Sequence, residues 1–184
     1  MDSEGAKVSP VEERAVTLRP VMSEDEEFLL AVYASSREDE LAQVQWSDGM
    51  KETFLRMQFD AQRAEYEQRY PDAEYAVILV DRRPAGRIWI TRPGDEIHLL
   101  DIALLPEFQN SGVGTVLLRR LMDEARRVGL PLRHYVFILN TEALRFYERL
   151  GFTVIGESGG AYRYMEWVPP GTGDAPPPPT SRSN

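Results

Sequence analysis

The chain is 184 residues long, 42% hydrophobic and 28% charged, with 30 acidic against 21 basic side chains and a formal net charge of -9. That length suits one domain with a real core, and the acidity argues against a protein that grips nucleic-acid phosphates through a basic face. The absence of cysteine excludes disulfides, thiolate zinc sites and a cysteine nucleophile; two histidines, His98 and His134, are a thin supply for a metal site, so none is expected. The N-terminus is polar without an apolar signal-like stretch, and no apolar run approaches the ~18 residues of a membrane span, so a cytoplasmic protein is expected.

Residues 1–14 are polar, and residues 169–184 hold six of the 13 prolines and almost nothing apolar. Both read as flexible tails around a folded stretch, 15–168, because such compositions bury too little surface to offset their ordering entropy. Ala15 to Arg19 is a short strand candidate. Ser23 followed by Glu26 reads as a capping box that opens a helix. A second helix is predicted from about Met50 to Arg69, with Met50, Phe54, Met57, Ala61 and Ala64 as its stripe. Tyr75–Val80 and Arg87–Thr91 form a hairpin around a turn at 81–86, and Glu96 to Leu105 is a long central strand, apolar on both sides. Val113–Val128 is an amphipathic helix closed by Gly129, with Val116, Leu117, Leu121 and Ala125 inward. Leu132–Leu139 is a strand, Asn140 caps a helix that Gly151 stops, and Phe152–Gly156 and Tyr162–Val168 are closing strands. The order βααβββαβαββ predicts an α/β fold around a central mixed, mostly antiparallel sheet flanked by helices.

The most informative segment runs from Leu104 through Gln109-Asn110-Ser111-Gly112-Val113-Gly114 into a helix. A strand passing through a short polar loop into a helix gathers backbone N–H groups and the positive end of the helix dipole, which suits a phosphate. Gly-x-Gly alone is equally an ordinary strand-to-helix turn. Position 117 is Leu where a dinucleotide fingerprint needs Gly, and the Gly-Lys-Ser/Thr of a Walker loop is missing. A second segment, Asn140-Thr141-Glu142-Ala143-Leu144-Arg145-Phe146-Tyr147-Glu148-Arg149-Leu150-Gly151-Phe152, completes the pattern.

Together the two segments resemble the GNAT superfamily of acyl-CoA-dependent N-acyltransferases. Its acyl-CoA loop reads Gln/Arg-x-x-Gly-x-Gly/Ala, and its later helix reads Asn-x-x-Ala-x-x-Phe/Leu-Tyr-x-x-x-Gly-Phe. Gln109, Gly112 and Gly114 fill the first pattern; Asn140, Ala143, Phe146, Tyr147, Gly151 and Phe152 fill the second. The common Arg-Gly-Arg-Gly loop is replaced by Gln109-Asn110-Ser111-Gly112, so two positive charges are missing beside a pyrophosphate, which implies either weaker cofactor affinity or compensation from a neighbour such as Arg119 or Arg145.

The resemblance implies acetyl-CoA as co-substrate, held by Gln109, Asn110, Ser111, Gly112, Val113 and Gly114, with Asn140 on the pantetheine arm. It implies that the backbone N–H of Leu104 meets the developing oxyanion, where the central strand parts from the 132–139 strand. It puts Tyr147 where a phenol protonates the leaving thiolate, although an amphipathic helix also places such a ring in a core. His98 lies on the same strand face as Glu96, Leu100, Ile102 and Leu104, and an imidazole there suits a general base; an ordinary sheet histidine fits equally. Glu96 is the fallback base. Asp101 points to the opposite face and reads as structural, and His134 as partly buried. The acceptor wall would come from Ser35-Ser36-Arg37-Glu38-Asp39-Glu40, Trp46, Tyr162 and Tyr164, which nonetheless also reads as a solvated charge run with core aromatics. The expected function is direct acetyl transfer to an amine of a small molecule or peptide, with no nucleic acid, no membrane and a homodimer left open. The alternatives are a catalytically silent acyl-CoA-binding or interaction module on the same scaffold, motivated by the uncharged loop, and a different α/β nucleotide binder.

Overall fold

The computed structural model describes residues 15–171, except positions 43 and 48 and the side chains of Asp39 and Glu40. The expected tails at 1–14 and beyond Gly171, and the proposed roles of the Asp39 and Glu40 side chains, therefore lie outside the described residues. The elements are β1 (Val16–Pro20), α1 (Glu26–Ser36), a short α2 (Glu38–Leu41), α3 (Met50–Arg69), β2 (Glu74–Val80), β3 (Arg83–Thr91), β4 (Ile97–Leu104), α4 (Val113–Val128), β5 (Leu132–Phe137), α5 (Thr141–Arg149), β6 (Thr153–Ser158) and β7 (Tyr162–Trp167). This is the mixed α/β order read from the sequence, with α2 and two 3-10 turns added. The chain divides into two compact units, residues 15–92 with 99–119 and residues 93–98 with 120–171, so β4 and α4 each contribute to both.

In the first unit β1 to β4 lie side by side in chain order, β2 running antiparallel to β1 and to β3. Helices α1 and α3 cover this sheet with Leu29, Leu30, Tyr33, Leu55 and Phe59 packed on Val77, apolar burial being the main source of cohesion. The stripe of α3 differs from the predicted one. Met50 and Met57 are 59% and 56% exposed, whereas Leu55 and Phe59 are buried, so the buried face falls one to two residues later than the predicted stripe. Gln62 explains part of the shift, because it faces the sheet to accept a 2.8 Å hydrogen bond from Nη2 of Arg87. The β2–β3 turn is also tighter than expected. Asp81 and Arg82 both take positive φ, 50° and 67°, forming a two-residue hairpin loop, so residues 83–86 belong to β3.

The helix start at Ser23 is built differently from the predicted capping box. Residues 23–25 form a 3-10 turn, and Asp25, rather than Glu26, takes the backbone N–H of Met22 at 2.8 Å. Its two carboxylate oxygens also accept bidentate bonds of 2.7 Å from Arg19. Arg19 first, with the Met22 N–H behind it, holds the Asp25 carboxyl below its ordinary value despite burial. A lowered folded-state value contributes stability above the unfolded pKa of about 3.9 that is lost as pH falls. In urea titrations Asp25→Asn should therefore be less stable than wild type at pH 7, and the two should converge below about pH 4.

In the second unit β7 lies between β5 and β6, antiparallel to both, and the first N–H of β4, that of Ile97, donates to Pro131 just before β5 at 2.9 Å. Leu132, His134 and Val136 alternate into the core with Met165 and Trp167 opposite, Tyr147 of α5 packs on His134, and Leu121, Met122 and Ala125 of α4 are buried as well.

Candidate active site

At the end of β4 in the first unit the Leu105 N–H donates to Ala85 at 2.9 Å, and Pro106–Phe108 form a 3-10 turn. Asn110 and Gly112 then take left-handed conformations, φ 52° and 84°, before α4 begins at Val113. Only Gly adopts such a φ without strain, so Gly112 lets the chain reverse into the helix. The hydroxyl of Ser111 donates to Phe108 at 2.5 Å and the side-chain amide of Gln109 to the Leu104 carbonyl at 2.9 Å. The loop is thus tied to the strand it leaves. The N–H groups of Gly112, Val113, Gly114 and Thr115 belong to the opening turn, which has no intrahelical acceptors for them; this geometry suits a diphosphate without the arginines missing from the loop. Arg119 is exposed on the same helix and Arg145 is exposed on α5.

The sequence pattern puts Gly86 in a turn, but it sits in β3. A Cβ there would come within 2.2 Å of the Ala103 carbonyl oxygen and 2.9 Å of Leu104 Cδ2, so a bare backbone lets β3 press against the last residues of β4. The signal lay in an isolated glycine beside a strand pattern.

In the second unit, Asn140 caps α5 as expected, its Oδ1 accepting from Ala143 N–H at 3.0 Å. At the other end Gly151 has φ 92° and Phe152 N–H reaches back to the Tyr147 carbonyl at 3.1 Å. This Schellman closure brings the residue after the glycine onto the residue three before the cap, and the Phe152 and Tyr147 rings meet edge-on at 5.3 Å. Tyr147 is 3% exposed and also packs on His134 at 4.9 Å. His134, expected to be partly buried, is 8% exposed; its place in the inward alternation of β5 explains the difference.

On the opposite face of β5 lies a polar cluster. Arg133 bonds Glu96 and Glu166, each at 2.7 Å, the Tyr164 hydroxyl donates to Glu96 at 3.0 Å, and His98 Nδ1 lies 3.1 Å from Glu96 Oε1. The rings of Tyr135 and Tyr164 stack at 4.3 Å, with His98 5.6 Å from Tyr135. Burial pushes the Glu96 carboxyl up, but the bonds from Arg133 and Tyr164 and the nearby charges outweigh it, leaving it below its ordinary value. Burial and the Glu96 carboxylate push the Tyr164 phenol up to about 12. A carboxylate so held is a poor proton acceptor. His98 and Tyr147 thus border opposite faces of β5, through Tyr135 and His134.

Asp101 is structural, as its parity implied: it pairs at 2.8 Å with Nε of Arg87, a guanidinium otherwise buried between Tyr33 and Phe59. Of the expected acceptor wall, Ser35 and Ser36 bond back to Val32 and Tyr33, Arg37 lies over Tyr33, and Trp46 donates to Leu41 while packing on Phe54. Tyr162 packs on Phe137. Among the described residues no helix is long and apolar enough to cross a membrane, and no group of three or more His, Cys, Asp or Glu is placed to hold a metal ion.

No curated protein matched the chain. Solved structures did: the PaiA N-acetyltransferase of Thermoplasma acidophilum in complex with coenzyme A is 23% identical, covering 84% of this chain and 99% of that one, with a TM-score of 0.63. An acetyltransferase of Thermus thermophilus is 21% identical over 83% and 96%, TM-score 0.61, and a protein of Pyrococcus horikoshii is 20% identical over 85% and 98%, TM-score 0.64. At these identities the structures speak for the fold alone. The model of the Acetyltransferase (GNAT) family matches residues 32–152. That stretch is well over half of the chain and carries both the glycine loop and the Tyr147 helix, so this protein belongs to the GNAT family of acetyltransferases.

Proposed function

We propose that the protein transfers acetyl from acetyl-CoA to the nitrogen of an amine, directly and without a covalent enzyme intermediate. The observation that carries the reading is the 109–114 loop, where two left-handed residues turn the end of β4 into the start of a sixteen-residue helix. The backbone N–H groups of Gly112, Val113 and Gly114 and the helix dipole hold the diphosphate, while Gln109, Asn110 and Ser111 shape the loop around it. Asn140 caps its helix through Oδ1, and its amide nitrogen donates to the pantetheine arm. The Leu104 N–H stabilises negative charge on the carbonyl under attack. With no cysteine in the chain, no thiol carries the acetyl group. His98 accepts, through bridging water, the proton that the amine must lose, and Tyr147 delivers one to the departing sulfur. Proton removal and proton delivery are thereby assigned to groups bordering opposite faces of β5, which keeps the base from neutralising the acid.

Two measurements test the reading. Calorimetry should detect coenzyme A binding to the intact protein, and thioester consumption should appear with at least one amine among spermidine, tyramine and a lysine-containing peptide. Binding without turnover across a broad amine panel would favour an acyl-CoA-binding module on the same scaffold. Stabilisation by ATP or NAD but not by coenzyme A would favour the nucleotide binder. A smaller effect is expected at the cap: Asn140→Ala should cost about 1 kcal/mol of stability in urea unfolding, because the Ala143 N–H loses its acceptor.

A further inference from the structure

We infer that Glu96 is a positioning residue for His98: its carboxylate accepts the Nδ1–H, which fixes the imidazole tautomer and leaves Nε2 as the nitrogen that takes the proton of the amine through bridging water. The inference rests on the base assignment above and goes beyond it, since the sequence offers this carboxylate, two residues away, only as a substitute base.

The geometry supports a dyad in three ways. His98 Nδ1 and Glu96 Oε1 are 3.1 Å apart, with side chains 8% and 12% exposed, so water competes little for the contact. The other oxygen, Oε2, accepts from Arg133 at 2.7 Å and from Tyr164 at 3.0 Å. Arg133 is in turn anchored by Glu166 at 2.7 Å, and the carboxylate has little freedom to rotate away. The register explains the assembly: Arg133 sits opposite Glu166 and Tyr135 opposite Tyr164 across β5 and β7, and Glu96 reaches the same face. The titratable and charged groups on this side of the imidazole include Glu96 from the segment before β4, Arg133 and Tyr135 from β5, and Tyr164 and Glu166 from β7. An ionised carboxylate on one ring nitrogen orients a histidine base and stabilises the cation formed when the other nitrogen is protonated.

The arrangement makes Glu96→Gln a sharp test. Arg133 offers only donors toward Oε2 and the Tyr164 hydroxyl donates there, so the amide should put its oxygen there and turn its NH2 toward His98. Nδ1 would then accept, and the proton would move to Nε2. In full-length protein labelled with 15N-histidine, with His98 assigned by comparison with His98→Asn, long-range NMR at pH 8 should show Nδ1–H in wild type and Nε2–H in Glu96→Gln. With acetyl-CoA and the amine that turns over in the panel, kcat should fall about tenfold while KM for acetyl-CoA stays within about twofold. Glu96→Asp, which keeps the charge, should restore Nδ1–H and part of the rate; it also serves if the Gln variant does not fold. An Nε2–H tautomer in wild type, or a Glu96→Gln protein with unchanged tautomer and kcat, overturns the inference. A fully active His98→Asn would overturn the base assignment instead, and the tautomer measurement separates the two failures.

Discussion

Gly112→Asp is expected to weaken coenzyme A binding about 100-fold, equivalent to about 2.7 kcal/mol, with the far-UV circular dichroism unchanged. Two effects combine. Gly112 has φ 84°, where an L-residue costs roughly 1–2 kcal/mol, a strain that falls mainly on loop geometry. The new carboxylate would also sit at the opening of α4, where it satisfies the helix dipole itself and repels a second anion; even at an effective dielectric of about 20, two unit charges about 4 Å apart repel by about 4 kcal/mol. Gly112→Ala separates the contributions, because it carries the strain without the charge and should bind only about tenfold more weakly. The excess loss in the Asp variant should shrink with added salt. If isothermal titration gives the Asp variant the wild-type affinity, residues 109–114 do not hold the diphosphate. If the Asp and Ala variants are equally weakened, the electrostatic account of the loop fails.

Local chemistry that uses one residue type for one purpose is legible in the sequence. Asn140 and Gly151 bracket α5 because an Asx side chain caps the first turn and a glycine closes the last, and both do so here. The Tyr-x-x-x-Gly-Phe spacing also has a plain physical meaning: the Schellman closure at Gly151 folds Phe152 onto Tyr147. The two-residue period alone places Asp101 on the correct face of β4. What escapes depends on partners distant in sequence. The face that α3 buries is set partly by Arg87, a charged strand residue that draws Gln62 inward, and hydrophobicity cannot report that. Ser23-x-x-Glu26 matches a capping box, yet Asp25 takes the role because Arg19 stands ready to pair with it. Glu96 reads as a spare base. Only the register of β5 on β7 shows that Arg133 and Tyr164 converge on it, with His98 Nδ1 3.1 Å from its other oxygen.

Tyr147→Phe is expected to lower kcat on the order of 100-fold, the usual scale for losing one positioned proton donor, with KM for acetyl-CoA nearly unchanged. The substitution removes one oxygen and keeps the ring, so the contacts with His134 and Phe152, 4.9 and 5.3 Å between centroids, should survive. Any loss of stability should stay within the roughly 1 kcal/mol of one hydrogen bond. Tyr147→Ala is the contrasting variant: emptying a site that is 3% exposed should cost about 3–5 kcal/mol, so its inactivity would report unfolding rather than lost chemistry. The role in thiolate departure also predicts a dependence on the leaving group. A phenol donor matters most when the sulfur it protonates is basic, near ~8.5. An acetyl thioester of a more acidic thiol needs less help, and the penalty of Tyr147→Phe should fall toward tenfold or below with such a donor. An equal loss with both donors would assign the hydroxyl to binding or structure, and no loss with either would return Tyr147 to the core as a packing residue.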